Sequence, residues 1–401
     1  MGDAGVNAGP SGPAGPGSGG RPAAAVRLVA EAVREGIAPA AVLAVGRGRA
    51  GDGPGSYEIH AFGHTHPTAA APPVTEETVF DLDSLTKVVA TTPAALRLID
   101  AGRLDLDDPV ARYLPAYAEG AKARVTLRHL LTHTSGLPAH EPFHELDASP
   151  AGLRAAIAET PLVARPASTV LCSDIGFLTL GFVVEEVTGT TLDSAVQELV
   201  FTPLGLTSTG YVPVHARGID LAPTAPRPGG GGGGGWSGGG GGGIRDGGGG
   251  GDPRIGVVHD RTAEALGGVA GHAGVFSTAG DLVSYLRQVW LRPDSAGSEV
   301  GFLSHAIRET ATTCWTEHLN GRRGLGWALA RDPADHMTAA WPDGRAGHTG
   351  FTGTSIAFDP GSGLWTVLLT NATYHGRDHS GIALLRRTVH AAVAAWAETA
   401  D

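Results

Sequence analysis

Ser84 and Lys87 stand three residues apart in Asp81-Leu82-Asp83-Ser84-Leu85-Thr86-Lys87, where a mostly apolar run from Val88 to Ala95 opens a helix. Side chains three apart on a helix share a face, so the lysine amine can lie beside the serine hydroxyl. A hydroxyl is a weak nucleophile until a neighbouring base takes its proton, and a desolvated lysine amine can be that base. The helix start adds backbone N–H donors and a positive dipole end, which suit a developing oxyanion. Ser-x-x-Lys also arises by chance at solvated helix starts, so its meaning depends on the rest of the chain.

Three further patterns fail on context. His140-Glu141-Pro142-Phe143-His144 matches the zinc-protease letters His-Glu-x-x-His, which work only where both histidines share a helix face. Pro142 would break that helix. Gly235-Trp236-Ser237-Gly238-Gly239 matches a nucleophile elbow, but the elbow needs a strand, a turn and a helix, and a glycine tract offers neither strand nor helix. His129 and His133 lack a third ligand at usable spacing and read as core or capping residues. No metal and no cofactor is expected.

Two other stretches strengthen the serine site. Gly347-His348-Thr349-Gly350-Phe351-Thr352-Gly353 precedes a predicted strand, and Cys172-Ser173-Asp174 lies just ahead of an apolar helix beginning near Gly176. Serine acyl-transfer sites combine Ser-x-x-Lys, a Ser-Asp-Asn-type triplet and a Lys-Thr-Gly-type triplet in that order. On these three triplets the chain resembles the class C β-lactamase and penicillin-binding-protein-like serine hydrolases, from about Ala23 to Trp396, with the glycine tract left out. Thr126-Leu127-Arg128-His129-Leu130-Leu131-Thr132-His133-Thr134-Ser135-Gly136-Leu137, Gly267-Gly268-Val269-Ala270-Gly271-His272-Ala273-Gly274 and Leu368-Leu369-Thr370-Asn371 extend the likeness.

The resemblance implies an acylated Ser84 with Lys87 as its base, and a small-molecule ester, amide or β-lactam as substrate. It places His348, Thr349 and Gly350 on an edge strand beside the cleft, with His348 a polar or cationic partner to the substrate and Thr349 a hydrogen-bonding group. It makes the backbone N–H groups of Ser84 and Phe351 the oxyanion hole. The class C pattern Tyr-x-Asn is replaced here by Cys172-Ser173-Asp174. In the family the tyrosine shuttles the proton between nucleophile and leaving group. A thiol titrates near about pH 8.5 and donates weakly, and related Ser-x-Asn sites work with a short serine. Three readings stay open: Cys172 relays the proton through a water, another group fills the gap, or the chain is catalytically impaired and acts as a binding or sensing protein. The plainest reading of Cys172 is an inert apolar residue. Asp174 replaces an amide with an acceptor-only carboxylate, which could pair with Lys87 and weaken it as a base.

The elements that position these residues follow from pattern. Residues 1–22 are Gly, Pro, Ala and Ser and read as a disordered tail. Ala23–Glu35 is an amphipathic helix ended by Gly36, and Pro39–Val45 and Tyr57–Phe62 form a hairpin. Pro93 should bend the nucleophile helix. Gly176–Thr188 reads as a buried helix ending at Gly189, and residues 229–251 as a flexible glycine-rich insertion. Ser355–Asp359 and Leu364–Thr370 read as strands, and Ile382–Ala397 as a final helix. Strands at both ends of the chain predict an α/β sandwich. Its antiparallel sheet, flanked by the N- and C-terminal helices, would be built from residues 23–104 and 295–401, with a mainly helical region, 105–294, inserted. His272, the Thr126–Leu137 stretch and Asn371 read as loop-bonding or scaffold residues.

A formal net charge of −11 with no local basic patch argues against nucleic acid. No stretch approaches the roughly 18 apolar residues of a membrane span, and the start lacks the features of a secretory signal. The expectation is a cytoplasmic protein with no membrane partner and with Cys172 and Cys314 as free thiols.

Overall fold

In the computed structural model the chain folds around a six-stranded sheet that joins its two ends. The structure describes residues 22–48, 57–68, 70–146, 148–211, 220–224, 255–292, 301–333, 341, 343–375 and 380–399. Residues 1–21 and the glycine tract with Trp236 lie outside them. The strands are β1 (Ala40–Arg47), β2 (Tyr57–Gly63), β3 (Val79–Asp81), β4 (Gly210–Tyr211), β5 (Leu221–Ala222), β6 (Val275–Ser277), β7 (Ala328–Leu329), β8 (Ala346–Thr349), β9 (Ser355–Asp359) and β10 (Leu364–Thr370).

The main sheet runs β2-β1-β10-β9-β8-β7 with every pairing antiparallel. β1 lies against β10 from Ala41↔Thr370 to Arg47↔Leu364, which closes the two termini into one layer. All of β10 is buried because both faces of the sheet are covered. On one face the helices Ala23–Arg34 and Ser380–Thr399 pack Val29, Val389 and Val393 with Leu43 and Leu368. On the other, Trp290, Trp327 and Phe358 meet with ring centroids 5.0 to 5.5 Å apart. Each such aliphatic or aromatic side chain contributes roughly 1.5–3 kcal/mol by burial. Asn371, at the end of β10, accepts the Ala40 N–H at 3.0 Å and donates to the carbonyls of Thr65 and Pro223.

The pattern of the sequence misses a second sheet, β4-β6-β3-β5, whose strands have only two or three residues each. Segments that short carry no readable alternation. This small sheet carries the nucleophile: β3 leads straight into Ser84, and the Leu82 N–H donates to the Val275 carbonyl at 2.9 Å. The nucleophile helix is also composite. A 3₁₀ turn, Asp83–Leu85, passes into a single π-helical turn, Lys87–Thr91, and only then into the α-helix Thr92–Asp100. Pro93 explains the π turn: it has no N–H to donate and its ring crowds the preceding turn, so the helix widens ahead of it. A π turn also stands just ahead of Pro203, at Gln197–Phe201, where it follows the α-helix Leu192–Val196.

Candidate active site

The 3₁₀ and π turns place Lys87 beneath Ser84. Lys87 is only 1% exposed, and its Nζ donates to Ser84 Oγ at 2.8 Å and to Asp174 Oδ1 at 2.8 Å. Burial alone would lower the lysine pKa. The charge of Asp174, the neighbouring Cys172, the Asp174 hydrogen bond and Asp83 together outweigh it and raise the pKa. Lys87 at rest is therefore an ammonium that donates to the nucleophile. Asp174 answers in kind: burial pushes its carboxyl up, but Lys87 and then His140, whose Nδ1 lies 3.6 Å from Asp174 Oδ2, hold it well below the usual carboxylate range.

Asp174 is in place because it opens the helix Asp174–Thr188, which Ser173 caps by accepting the Gly176 N–H at 3.0 Å. The Ser173 hydroxyl also donates to the Pro138 carbonyl at 2.6 Å, fixing the loop before the helix. Cys172 is exposed and forms no disulfide, so it is not an inert core residue. Its Sγ lies 3.7 Å from Nε2 of the buried His133. The Ser173 N–H donates to His133 Nδ1 at 3.1 Å, so in the neutral ring the proton sits on Nε2 and points at the sulfur. Burial, with the charges of Arg323 and Lys87, keeps that ring neutral.

His133 does not pair with His129 across a helix turn. The helix ends at Leu131, His133 takes a left-handed φ of +57°, and His129 instead closes the capping box of that helix by accepting the Thr126 N–H. In the His140–His144 stretch, Pro142 precedes a short 3₁₀ turn, so the two histidines share no helix face.

The third corner comes from β8 and its turn. β8 is not the outermost strand. β7 covers it at Ala346 and Gly347, but β7 has only two residues, and His348 and Thr349 pair with β9 alone. His348 is buried, and burial together with the charges of Lys87 and Arg323 drives its pKa down to about 3. It is a neutral ring whose Nδ1–H donates to the Thr349 carbonyl at 2.9 Å, which leaves Nε2 as an acceptor. The expected cationic form is absent; the polar one fits. Gly350 has no alternative at its position, since a Cβ would stand 2.2 Å from Thr354 Oγ1 and 2.5 Å from the Leu82 carbonyl oxygen.

That close approach is what brings Phe351 to the nucleophile. Thr352 Oγ1 donates to the Asp81 carbonyl at 2.9 Å and Thr354 Oγ1 to the Leu82 carbonyl at 3.1 Å. From behind, buried Arg386 donates to the carbonyls of Gly350 and Thr354. The N–H groups of Ser84 and Phe351 converge as expected, but both point at one oxygen, Oδ1 of Asp83, at 2.5 and 3.1 Å.

Sequence reasoning missed Asp83, His133 and the pair His259–Asp260. Asp260 accepts from buried His272 Nε2 at 3.0 Å, and His259 Nδ1 lies 3.8 Å from Asp83 Oδ2. The available signals were the acid directly before the nucleophile and the adjoining His-Asp dipeptide.

This arrangement is chemically suited to serine acyl transfer, and the comparisons with known proteins show the family. The chain belongs to the Beta-lactamase family, whose profile matches residues 26–391. It is 33% identical over 328 residues to a protein of Escherichia coli (strain K12) named "Putative D-alanyl-D-alanine carboxypeptidase", covering 77% of this chain and 71% of that one. The structure of EstCE1, described as a hydrolase with promiscuous acyltransferase activity, superposes with a TM-score of 0.67 at 25% identity, covering 92% of this chain and 98% of the other. A class C beta lactamase from Rhodobacter sphaeroides shares the fold at a TM-score of 0.64 and 21% identity, over 90% of this chain and 96% of the other. The chain is a serine hydrolase of this family.

Proposed function

We propose that the chain hydrolyses a small ester or amide through an acyl-enzyme on Ser84. The observation that carries this is the 2.8 Å contact between the buried Lys87 Nζ and Ser84 Oγ. Ser84 Oγ adds to the substrate carbonyl as Lys87, in its deprotonated form, takes the hydroxyl proton. The tetrahedral oxygen sits between the N–H groups of Ser84 and Phe351. Collapse expels the leaving group with that proton, and a water then releases the acid by the same steps in reverse. Cys172, whose sulfur faces the His133 N–H at 3.7 Å, is the candidate to relay that proton from Lys87 to the leaving group. Thr349 and Gly350 line the acyl side, and the neutral His348 accepts a hydrogen bond from the substrate.

The ion pair with Asp174 sets the substrate preference. A lysine held as an ammonium is a scarce base, and an amine must be protonated as it leaves whereas a phenolate need not be. Activated esters should therefore turn over faster than amides, β-lactams or peptides ending in D-alanyl-D-alanine, the substrate that the relative's name suggests. Two observations favour a second reading, a family member reduced to binding: the Lys87–Asp174 pair and the engaged oxyanion donors.

Mass spectrometry after incubation with a fluorophosphonate or a penicillin separates the two. An adduct on Ser84 that is lost in Ser84→Ala supports the hydrolase; no adduct with either reagent sinks it.

A further inference from the structure

The donors that would hold a tetrahedral oxygen are already in use. Asp83 Oδ1 accepts from Ser84 N–H at 2.5 Å and from Phe351 N–H at 3.1 Å, so it occupies the position between two convergent donors where an oxyanion would form. Neighbouring groups hold it there. Asp83 adopts φ +48°, a left-handed conformation that aspartate tolerates better than most residues. Its own N–H donates to Asp81 Oδ1 at 2.8 Å, and the other oxygen of Asp81 takes the His259 N–H at 2.7 Å. His259 in turn lies 3.8 Å from Asp83 Oδ2 and stacks on the Phe351 ring, with centroids 5.5 Å apart and planes 23° apart. One small frame thus fixes the plug, the second donor residue and a neighbouring imidazole. Asp83 is 5% exposed, so bulk water offers the carboxylate no alternative partner. Burial favours the neutral acid, but the hydrogen bond and charge of His259 win, and the pKa lies below its ordinary value. The plug is therefore a carboxylate, the stronger acceptor.

We infer that Asp83 is a resident occupant of the oxyanion hole, which a substrate must displace before Ser84 can be acylated. The inference rests on the hydrolase reading of Ser84. Its physical content is a competition. A planar carbonyl is a poor rival for a carboxylate, whereas the charged tetrahedral oxygen is a strong one, so the cost falls on reaching the transition state. Rotation of the Asp83 side chain frees Oδ1 from both N–H groups, and His259 is the group placed to receive the released carboxylate. Asp83 thereby sets which acyl groups react: those whose tetrahedral oxygen carries the most charge clear the hole most readily.

The test compares the full-length wild type with Asp83→Asn, Asp83→Ala and Asp83→Gly, using two probes. Phenylboronic acid adds Ser84 Oγ to its trigonal boron, with loss of the hydroxyl proton, and puts a boronate oxygen into the hole. A fluorophosphonate forms the Ser84 Oγ–P bond while fluoride leaves and the hydroxyl proton passes to the base. Removing a charged acceptor from two donors should raise boronate affinity and labelling rate by on the order of tenfold or more in Asp83→Ala and Asp83→Gly. Asp83→Asn keeps an acceptor oxygen without the charge and should fall between. Glycine suits the left-handed φ, so it decides the matter should the alanine variant fail to fold. Equal or weaker boronate binding and equal or slower labelling in folded Asp83→Gly overturn the inference and leave the hydrolase reading intact. Absence of labelling in all four proteins overturns both.

Discussion

Asp174→Asn should move the pH dependence of acylation, because it removes the anion that keeps Lys87 protonated. The charges stand 2.8 Å apart, and the aspartate side chain is 30% exposed. A pair at about 4 Å interacts by ~1 kcal/mol in water and ~4 kcal/mol near a protein surface. A partly exposed pair falls between these limits. The sign follows from the environment of Lys87. Burial lowers its pKa, and the Asp174 charge is the first of the effects that raise it. An asparagine keeps an acceptor for the ammonium but not the charge, so the pKa falls. Each unit of fall multiplies the free base present near neutrality by about ten, and the weaker basicity of the amine takes back part of that gain. The rising limb of kcat/KM for p-nitrophenyl acetate should shift to lower pH, with a several-fold to roughly tenfold higher value near pH 7. A limb that stays in place, or moves to higher pH, would refute Lys87 as the base.

Three further outcomes follow from the same geometry. Cys172→Tyr should raise amide turnover more than ester turnover if proton delivery to the leaving group limits the rate; an unchanged amide-to-ester ratio places the proton route elsewhere. Gly350→Ala forces a Cβ to 2.2 Å from Thr354 Oγ1 and 2.5 Å from the Leu82 carbonyl oxygen. It should cost about 1–3 kcal/mol in thermal unfolding, with a larger proportional loss of kcat, because Phe351 N–H moves with the turn. The Lys87–Asp174 pair should also shape stability against pH. The Asp174 pKa is depressed on folding, so its contribution is present above the unfolded carboxylate value of about 3.9 and is lost as pH falls through the folded value. The Lys87 pKa is raised, so its contribution is complete below about 10.4 and is lost as pH rises through the folded value. Melting temperature measured across pH should show a plateau between these limits, with the acid-side slope reduced in Asp174→Asn.

What the sequence settled was local or ordered along the chain. Ser84 and Lys87 are found together because a spacing of three keeps two side chains on one face of a 3₁₀ or α turn, and Lys87 only begins the π turn. The strands Ser355–Asp359 and Leu364–Thr370 were legible because an apolar run bounded by Pro360-Gly361 has few other ways to fold. The order of the Ser-x-x-Lys, Cys-Ser-Asp and His-Thr-Gly triplets located the remaining corners of the site. The Lys87–Asp174 contact could be anticipated because a carboxylate in an amide's place must find a donor.

What only the tertiary structure decided depended on groups far apart in sequence. The small sheet under the nucleophile is made of strands too short to leave a pattern. His133 read as a core or capping residue, and nothing in the sequence showed that the helix ends at Leu131 and that the left-handed φ of His133 turns its ring toward Cys172. His348 gave no hint of its protonation state, which is set by burial and by Lys87 and Arg323. Asp83 is the sharpest case. Its carboxylate meets the Ser84 N–H from the adjoining residue, but the second donor comes from Phe351, 268 positions away. That meeting requires the Thr352 and Thr354 anchors and the missing Cβ of Gly350. Spacing could place the nucleophile beside its base, but only the packing of the β8–β9 turn against Asp81 and Leu82 could show what fills the oxyanion hole.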